Sequence, residues 1–324
     1  MMNKRPLFIV IYFLLMVVAP GAGATTITIR DELSREVEVS LPVKRVVFIS
    51  LYEFIPALQI WERVVGINRW AFDNTLLKRF AELKRMPPVG TGGEVNIEAL
   101  LALRPDLVIT WTYKPEVVDF MARKGLRVIS VYPESIEELY EVLELCGRLF
   151  KKEGRVRKVR SYMDRLFDLI KFRVSGIPAE KRRKVLWLWG KPTTVTGCMG
   201  VQSDIIKLIG GINPAECIQA KYSDVSIEWI VAWDPDVIFI WGNARYGSHD
   251  LIGNSQWATI KAIKEGRVYK APSWSNWSPR LPILALWMAK KTYPEAFSGI
   301  SFTQLADDLY VKCFGIPFEG REFD

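Results

Sequence analysis

A stretch of 16 residues occurs twice in this 324-residue chain, 130 positions apart. Asn96-Ile-Glu-Ala-Leu-Leu-Ala-Leu-Arg-Pro-Asp-Leu-Val-Ile-Thr-Trp111 returns as Ser226-Ile-Glu-Trp-Ile-Val-Ala-Trp-Asp-Pro-Asp-Val-Ile-Phe-Ile-Trp241. Each copy opens on an N-cap residue, Asn96 or Ser226, and continues with apolar residues at helical spacing: Ile97, Leu100 and Leu101, or Ile227, Ile230 and Val231. Pro105 and Pro235 cannot continue a helix, so the chain turns there. The apolar, partly β-branched run behind each proline suits a strand buried on both faces of a parallel sheet. The repeat therefore predicts two similar α/β lobes with a cleft between them, where a ligand would sit. Crossover helices run opposite to their strands. Glu98 and Trp111 then share one edge, as do Glu228 and Trp241, and it is the edge where open α/β sheets bind ligands.

Lys4 and Arg5 precede an apolar run from Leu7 to Val18, and Ala22-Gly-Ala24 supplies small residues for cleavage. The run is short for a membrane span, so residues 1–24 read as a cleaved secretory signal. No cysteine follows it for lipid attachment. The mature chain is expected to start near Thr25 and to be periplasmic. Loss of Lys4 and Arg5 lowers the formal charge from +8 to +6. Much of the excess lies between Lys151 and Arg173, where nine basic residues face three acids. In an exported protein this reads as a solvated helix face rather than a nucleic-acid site. Of the four cysteines, Cys198 and Cys217 flank one short predicted helix and are the pair to expect if a disulfide forms. No CxxC or zinc-ligand spacing occurs.

Strands and helices alternate along the rest, as in a parallel α/β lobe. Val156, Val159, Met163, Leu166, Phe167 and Ile170 recur at spacings of three and four in a stretch without Gly or Pro inside it. They predict a long helix, read as a rigid strut between lobes. The expected division is a first lobe over 25–152, a linking helix over 153–176, and a second lobe with terminal helices over 177–324.

The order and spacing of several short motifs resemble those of the periplasmic substrate-binding proteins of ABC importers for iron-siderophore complexes, haem and cobalamin. The motifs are Asp31-Glu-Leu-Ser-Arg-Glu-Val37, Pro42-Val-Lys-Arg-Val-Val47, Asn96-Ile-Glu98, Pro105-Asp-Leu-Val108, Gly210-Gly-Ile-Asn213, Pro235-Asp-Val-Ile238, Gln256-Trp257, Gly266-Arg-Val-Tyr269 and Ser278-Pro-Arg280. The resemblance covers nearly the whole mature chain. It implies the class III fold, two Rossmann-like lobes with mostly parallel sheets joined by a single long α-helix. It also implies a monomer without catalytic cofactor that binds an iron complex or corrinoid and delivers it to an ABC permease dimer with its ATPase subunits. Glu98 and Glu228 match the glutamates that dock on the permease. Tyr52, Trp70, Trp111, Trp241, Arg245, Trp274, Trp277 and Arg280 are the expected ligand-binding residues. Aromatic rings suit a planar or catechol-bearing ligand, and Arg280 could pair with an anion bidentately. His249, the single histidine, reads either as an axial metal ligand or as a surface residue.

Two other readings stay open. Some proteins of this fold bind molybdate or tungstate, in which case Arg69, Arg245 and Arg280 would dominate the cleft. A chelatase-like or metallocluster-assembly enzyme would need acid-base or nucleophilic machinery, and one histidine with no P-loop and no GxGxxG after a strand offers little. Gly90-Thr-Gly-Gly93 reads as a turn rather than a phosphate loop.

Overall fold

The protein is described from a computed structural model covering residues 25–112, 114–320 and 323, so the expected signal segment lies outside the described residues. The hairpin of β1 (Thr25–Arg30) and β2 (Glu36–Leu41) turns at Asp31. That carboxylate accepts bonds from the N–H groups of Leu33 and Arg35 and from Ser130, pinning the hairpin to the first lobe. The lobe is built on β3 (Val46–Phe48) and β4 (Val64–Ile67), then, after the short hairpin of β5 (Gly90–Thr91) and β6 (Glu94–Val95), on β7 (Leu107–Trp111) and β8 (Val128–Val131). Four of these strands form a parallel sheet in the order β4-β3-β7-β8. All of β3 and β8, and β7 up to its final Trp111, are buried, as expected of strands covered on both faces.

The second lobe contributes β9 (Val185–Leu188), β10 (Thr194–Thr196), β11 (Tyr222–Asp224), β12 (Val237–Ile240) and β13 (Val268–Lys270). Their order is β11-β10-β9-β12-β13, with β9, β12 and β13 parallel and β10 antiparallel to both neighbours. Between the lobes runs a helix over Glu153–Ser175, 23 residues, or roughly 34 Å at 1.5 Å per residue. Its buried stripe is Val156, Val159, Met163, Leu166, Phe167, Ile170 and Val174. Burying side chains of this kind is worth roughly 1.5–3 kcal/mol each, which holds the strut against both lobes.

The terminal helices divide their attachments. The helix Leu281–Thr292 packs along the strut, and Phe302–Phe314 packs on the strut and on the first-lobe helix Phe54–Leu58. The Arg155 guanidinium ties this together by donating to the carbonyls of Ala57, Lys312 and Cys313. The end of the chain thus returns to the first lobe. Among the described residues no helix is long and apolar enough to cross a membrane.

Candidate functional site: an aromatic cleft between the lobes

The carboxyl ends of the parallel strands carry the aromatic residues. In the first lobe Tyr52 lies beyond β3, Trp70 beyond β4, Trp111 ends β7 and Tyr132 follows β8. In the second, Trp189 follows β9, Trp241 follows β12, and Trp274 and Trp277 lie beyond β13. Every parallel strand points the same way within its sheet, so its last residue lands on one edge. The rings then meet in sequence: Trp70 to Trp111 at 5.5 Å, Trp111 to Trp277 at 6.4 Å, and Trp277 to Tyr132 at 4.7 Å between centroids. A second group joins Trp189 to Trp241 at 5.7 Å and to Tyr222 at 6.0 Å. Trp70 keeps 47% of its surface exposed and Tyr222 56%, so both offer area that a ligand could cover.

The indole of Trp111 is held by the β5–β6 hairpin. A Cβ at Gly92 would lie 1.6 Å from Trp111 Nε1, so only glycine allows this approach. Burial pushes the Tyr52 phenol far above the ordinary tyrosine range. Burial, aided by Tyr222 and Glu134, also raises that of Tyr132. Both phenols are neutral at physiological pH and can donate.

Two contacts cross between the lobes beside these rings. The Lys221 ammonium pairs with the Glu134 carboxylate and lies 3.8 Å from the Tyr132 ring centroid. Nearby, Asp204 accepts from the N–H of Ile136 at 2.9 Å, capping a first-lobe helix (Ile136–Phe150) from the second lobe.

Arg280 and Trp274 are not cleft walls. Arg280 is fully buried and forks onto Glu53, also fully buried, at 2.9 Å from Nε and 2.5 Å from Nη2. Nη1 donates to the Tyr310 hydroxyl, and the Trp274 ring covers the guanidinium at 4.0 Å. Ser278 and Asn74 complete the shell around Glu53. A ligand could reach Arg280 only by displacing this network, so the anion-binding role expected of it is withdrawn.

Arg245 is exposed in a separate hollow of about 380 Å³ with Tyr246, His249 and Lys270. The His249 side chain is 85% exposed and lies 3.3 Å from Asp250. A larger hollow, about 660 Å³, surrounds Asp236, Lys261, Arg183 and Arg267 at the opposite, amino-terminal edge of β12 and β13. Its cations and acids largely answer one another, as in the Lys261–Asp236 pair at 2.6 Å. The cleft at the strand ends is therefore the better candidate site despite its open shape. Cys198 and Cys217, the pair a disulfide would join, are both free in the structure, and Cys198 Sγ is directed at Gln219 Oε1.

The helices Ile97–Leu103 and Ile227–Trp233 begin on the strand-end edge, and Glu98 and Glu228 lie exposed in their first turns. Hydrogen bonds from the Ser226 hydroxyl and from its own helix N–H hold the Glu228 carboxyl below the usual range. Glu228 is therefore ionised at neutral pH.

The sequence signature of the periplasmic binding protein family matches residues 48–274, which span both sheets and the strut. The chain belongs to that family. The molybdate-binding protein MolA of Haemophilus influenzae is 24% identical to it, the match covering 90% of this chain and 92% of MolA. The iron(3+)-hydroxamate-binding protein FhuD of Bacillus subtilis is 26% identical over 76% of this chain and 79% of its own. Among solved structures, Helicobacter pylori CeuE in its nickel-histidine complex superimposes with a TM-score of 0.80 at 29% identity, covering 90% of this chain and 96% of CeuE. MolA is the cognate periplasmic binding protein of an ABC transporter, and this periplasmic binding protein shares its fold.

Four residues at the cleft of this periplasmic binding protein escaped the reading of its sequence. Trp189 and Tyr132 could have been found, since each immediately follows a strand as Trp241 does. Tyr222 and Lys221 could not, because the edge strand that Tyr222 opens is short and polar and Lys221 lies just before it.

Proposed function

We propose that this periplasmic binding protein captures a chelated metal in the inter-lobe cleft, with an iron-siderophore complex first and cobalamin or haem next, and presents it to the permease through Glu98 and Glu228. The observation that carries the reading is the run of rings Trp70, Trp111, Trp277 and Tyr132, facing Trp189, Trp241 and Tyr222. Such rings each bury roughly 150–250 Å² and lose little rotamer freedom, which suits the organic shell around a metal rather than a bare ion. Relatives named for ferric hydroxamate, vitamin B12 and ferric citrate, and the nickel-histidine complex of CeuE, all have a metal inside an organic shell. No chemical step is required of the protein. Capture would involve small lobe movements, since a long helix resists bending more than loops do.

Molybdate is the second reading, favoured by the match to MolA over most of both chains. Titration of refolded, ligand-free protein with a ferric hydroxamate, a ferric catecholate, haem, cyanocobalamin, nickel-histidine and molybdate, followed by tryptophan fluorescence, separates the two. A metal chelate should quench emission at micromolar concentration while molybdate leaves it unchanged. Quenching by molybdate alone would replace the first reading with the second, and a flat response to every probe would remove both.

A further inference from the structure

Lys221 stands at the meeting of both lobes and the aromatic path. Its strand neighbour Tyr222 belongs to the second-lobe ring group, while its ammonium lies over Tyr132, which continues the first-lobe rings through Trp277. The side chain keeps 30% of its surface exposed and its partner Glu134 keeps 26%, so a ligand can reach both. The surroundings are acidic. Glu134 accepts the ammonium, Glu138 accepts from the Glu134 N–H at 2.6 Å, and Glu32 faces the same group. Burial first, then the charges of Glu138 and Glu134, raises the Glu32 carboxyl, while Lys221 draws it down.

We propose that Lys221 is the residue by which the cleft selects anionic ligands, and that Glu134 occupies it until such a ligand arrives. The proposal rests on the cleft being the binding site. An anionic oxygen of a ligand lying on Trp277 and Tyr132 comes within reach of the same ammonium. It has to compete with Glu134 for that charge, and a pair flanked by rings is less screened by water than one on an open surface. Exchange of partners breaks one tie between the lobes as the ligand forms another. A neutral ligand gains nothing from the exchange and leaves the Lys221–Glu134 pair in place. The two side chains therefore have opposite signs of effect: Lys221 favours an anion and Glu134 opposes it.

The test uses the mature protein, a net-negative ferric tris-catecholate and molybdate as anionic probes, and a ferric tris-hydroxamate without other charged groups as the neutral one. Lys221→Gln should weaken binding of an anionic probe at least tenfold, Lys221→Arg should restore most of it, and Glu134→Gln should tighten it severalfold. Affinity for the neutral tris-hydroxamate, where present, should be unchanged in all three. Loss of affinity in both Lys221→Gln and Glu134→Gln would mean that the pair merely ties the lobes together, and the proposal falls. Equal binding by parent and Lys221→Gln would also remove it. If the parent binds the neutral tris-hydroxamate and no anionic probe, the cleft reading stands and the anion role of Lys221 falls. If the parent binds nothing, both fall. Circular dichroism of each variant identifies one that has not folded, and Lys221→Arg then carries the comparison with Glu134→Gln.

Discussion

Asp106 and Asp236 make the same bond in different lobes. The carboxylate of Asp106 accepts from the N–H groups of Lys44 and Arg45, both at 2.9 Å, just before β3. That of Asp236 accepts from the N–H of Lys184 at 2.7 Å, just before β9. In each lobe a basic side chain also reaches the carbonyls that end the repeated helix. Arg45 bonds to Leu103 and Arg104, and Lys184 to Trp233. The residues before the two prolines, Arg104 and Asp234, both take left-handed backbone, with φ of 45° and 44°. The repeat is thus a mechanical module that fixes one helix end to the start of a neighbouring strand.

Asp236→Asn should cost about 1.5–3 kcal/mol of unfolding free energy, the range for a hydrogen bond to a charged group, read from the urea midpoint. Partial burial alone would raise the Asp236 carboxyl, but Lys261 and the Lys184 N–H outweigh it and hold the pKa below the usual aspartate range. Its contribution to stability is then fully present above about pH 4 and disappears as pH falls through the lower folded value. The parent should lose its advantage over Asp236→Asn in acid, and a constant difference down to pH 2 would contradict this assignment.

Reversal of both carboxylates proposed to dock on the permease, Glu98→Lys with Glu228→Lys, should leave ligand affinity nearly unchanged and abolish permease-dependent uptake. Exposed charges orient a partner more than they add affinity, so each single reversal should show a partial loss. Uptake by the double variant equal to the parent would remove these residues from the interface.

Gly92→Ala forces either the hairpin tip or the Trp111 ring to move, because the added carbon would overlap the indole nitrogen. Gly92 is buried, but it sits in the turn of a two-stranded hairpin outside both main sheets, so thermal stability should fall by only a few degrees. Ligand affinity, measured by the same fluorescence titration, should fall about tenfold or more, since a misplaced ring forfeits buried area worth roughly 1.5 kcal/mol or more.

Glu53→Gln or Arg280→Met leaves a charge or a polar group uncompensated in the core. Removing one partner of a buried pair costs about 3–5 kcal/mol, so either variant should shift chemical unfolding strongly. The double variant Glu53→Gln with Arg280→Met should be less destabilised than the worse single one. Additive losses in the double variant would show that the pair does not act as a unit.

The lobes and strut were legible because they follow from patterns of spacing. The two proline-ended helices, the strand runs behind them and the apolar stripe from Val156 to Val174 all obey local periodicity, and local periodicity is written in consecutive residues. The strand-end edge was legible for the same reason, which is why Trp111 and Trp241 could be placed together with Glu98 and Glu228. Arg280 was misread because its partner, Glu53, lies 227 residues away and next to Tyr52. Nothing in Ser278-Pro-Arg280 itself says whether the guanidinium meets a ligand or a carboxylate of the other lobe. Trp274 was misread with it, since the ring covers that same guanidinium. Lys221 was missed because a lone lysine just before a polar edge strand looks like any solvated cation until the lobes are brought together.

The return of the last helix to the first lobe sets an order of assembly. Glu53 cannot meet Arg280, and Arg155 cannot reach the carbonyls of Lys312 and Cys313, until nearly the whole chain has been synthesised. The lobe that is made first is therefore closed last. A chain ending near residue 270 would hold the Glu53 carboxylate and the strut without their partners, and it would stay loose. Delayed closure of this kind makes the stability of the lobe farthest from the C-terminus depend on the end of the chain.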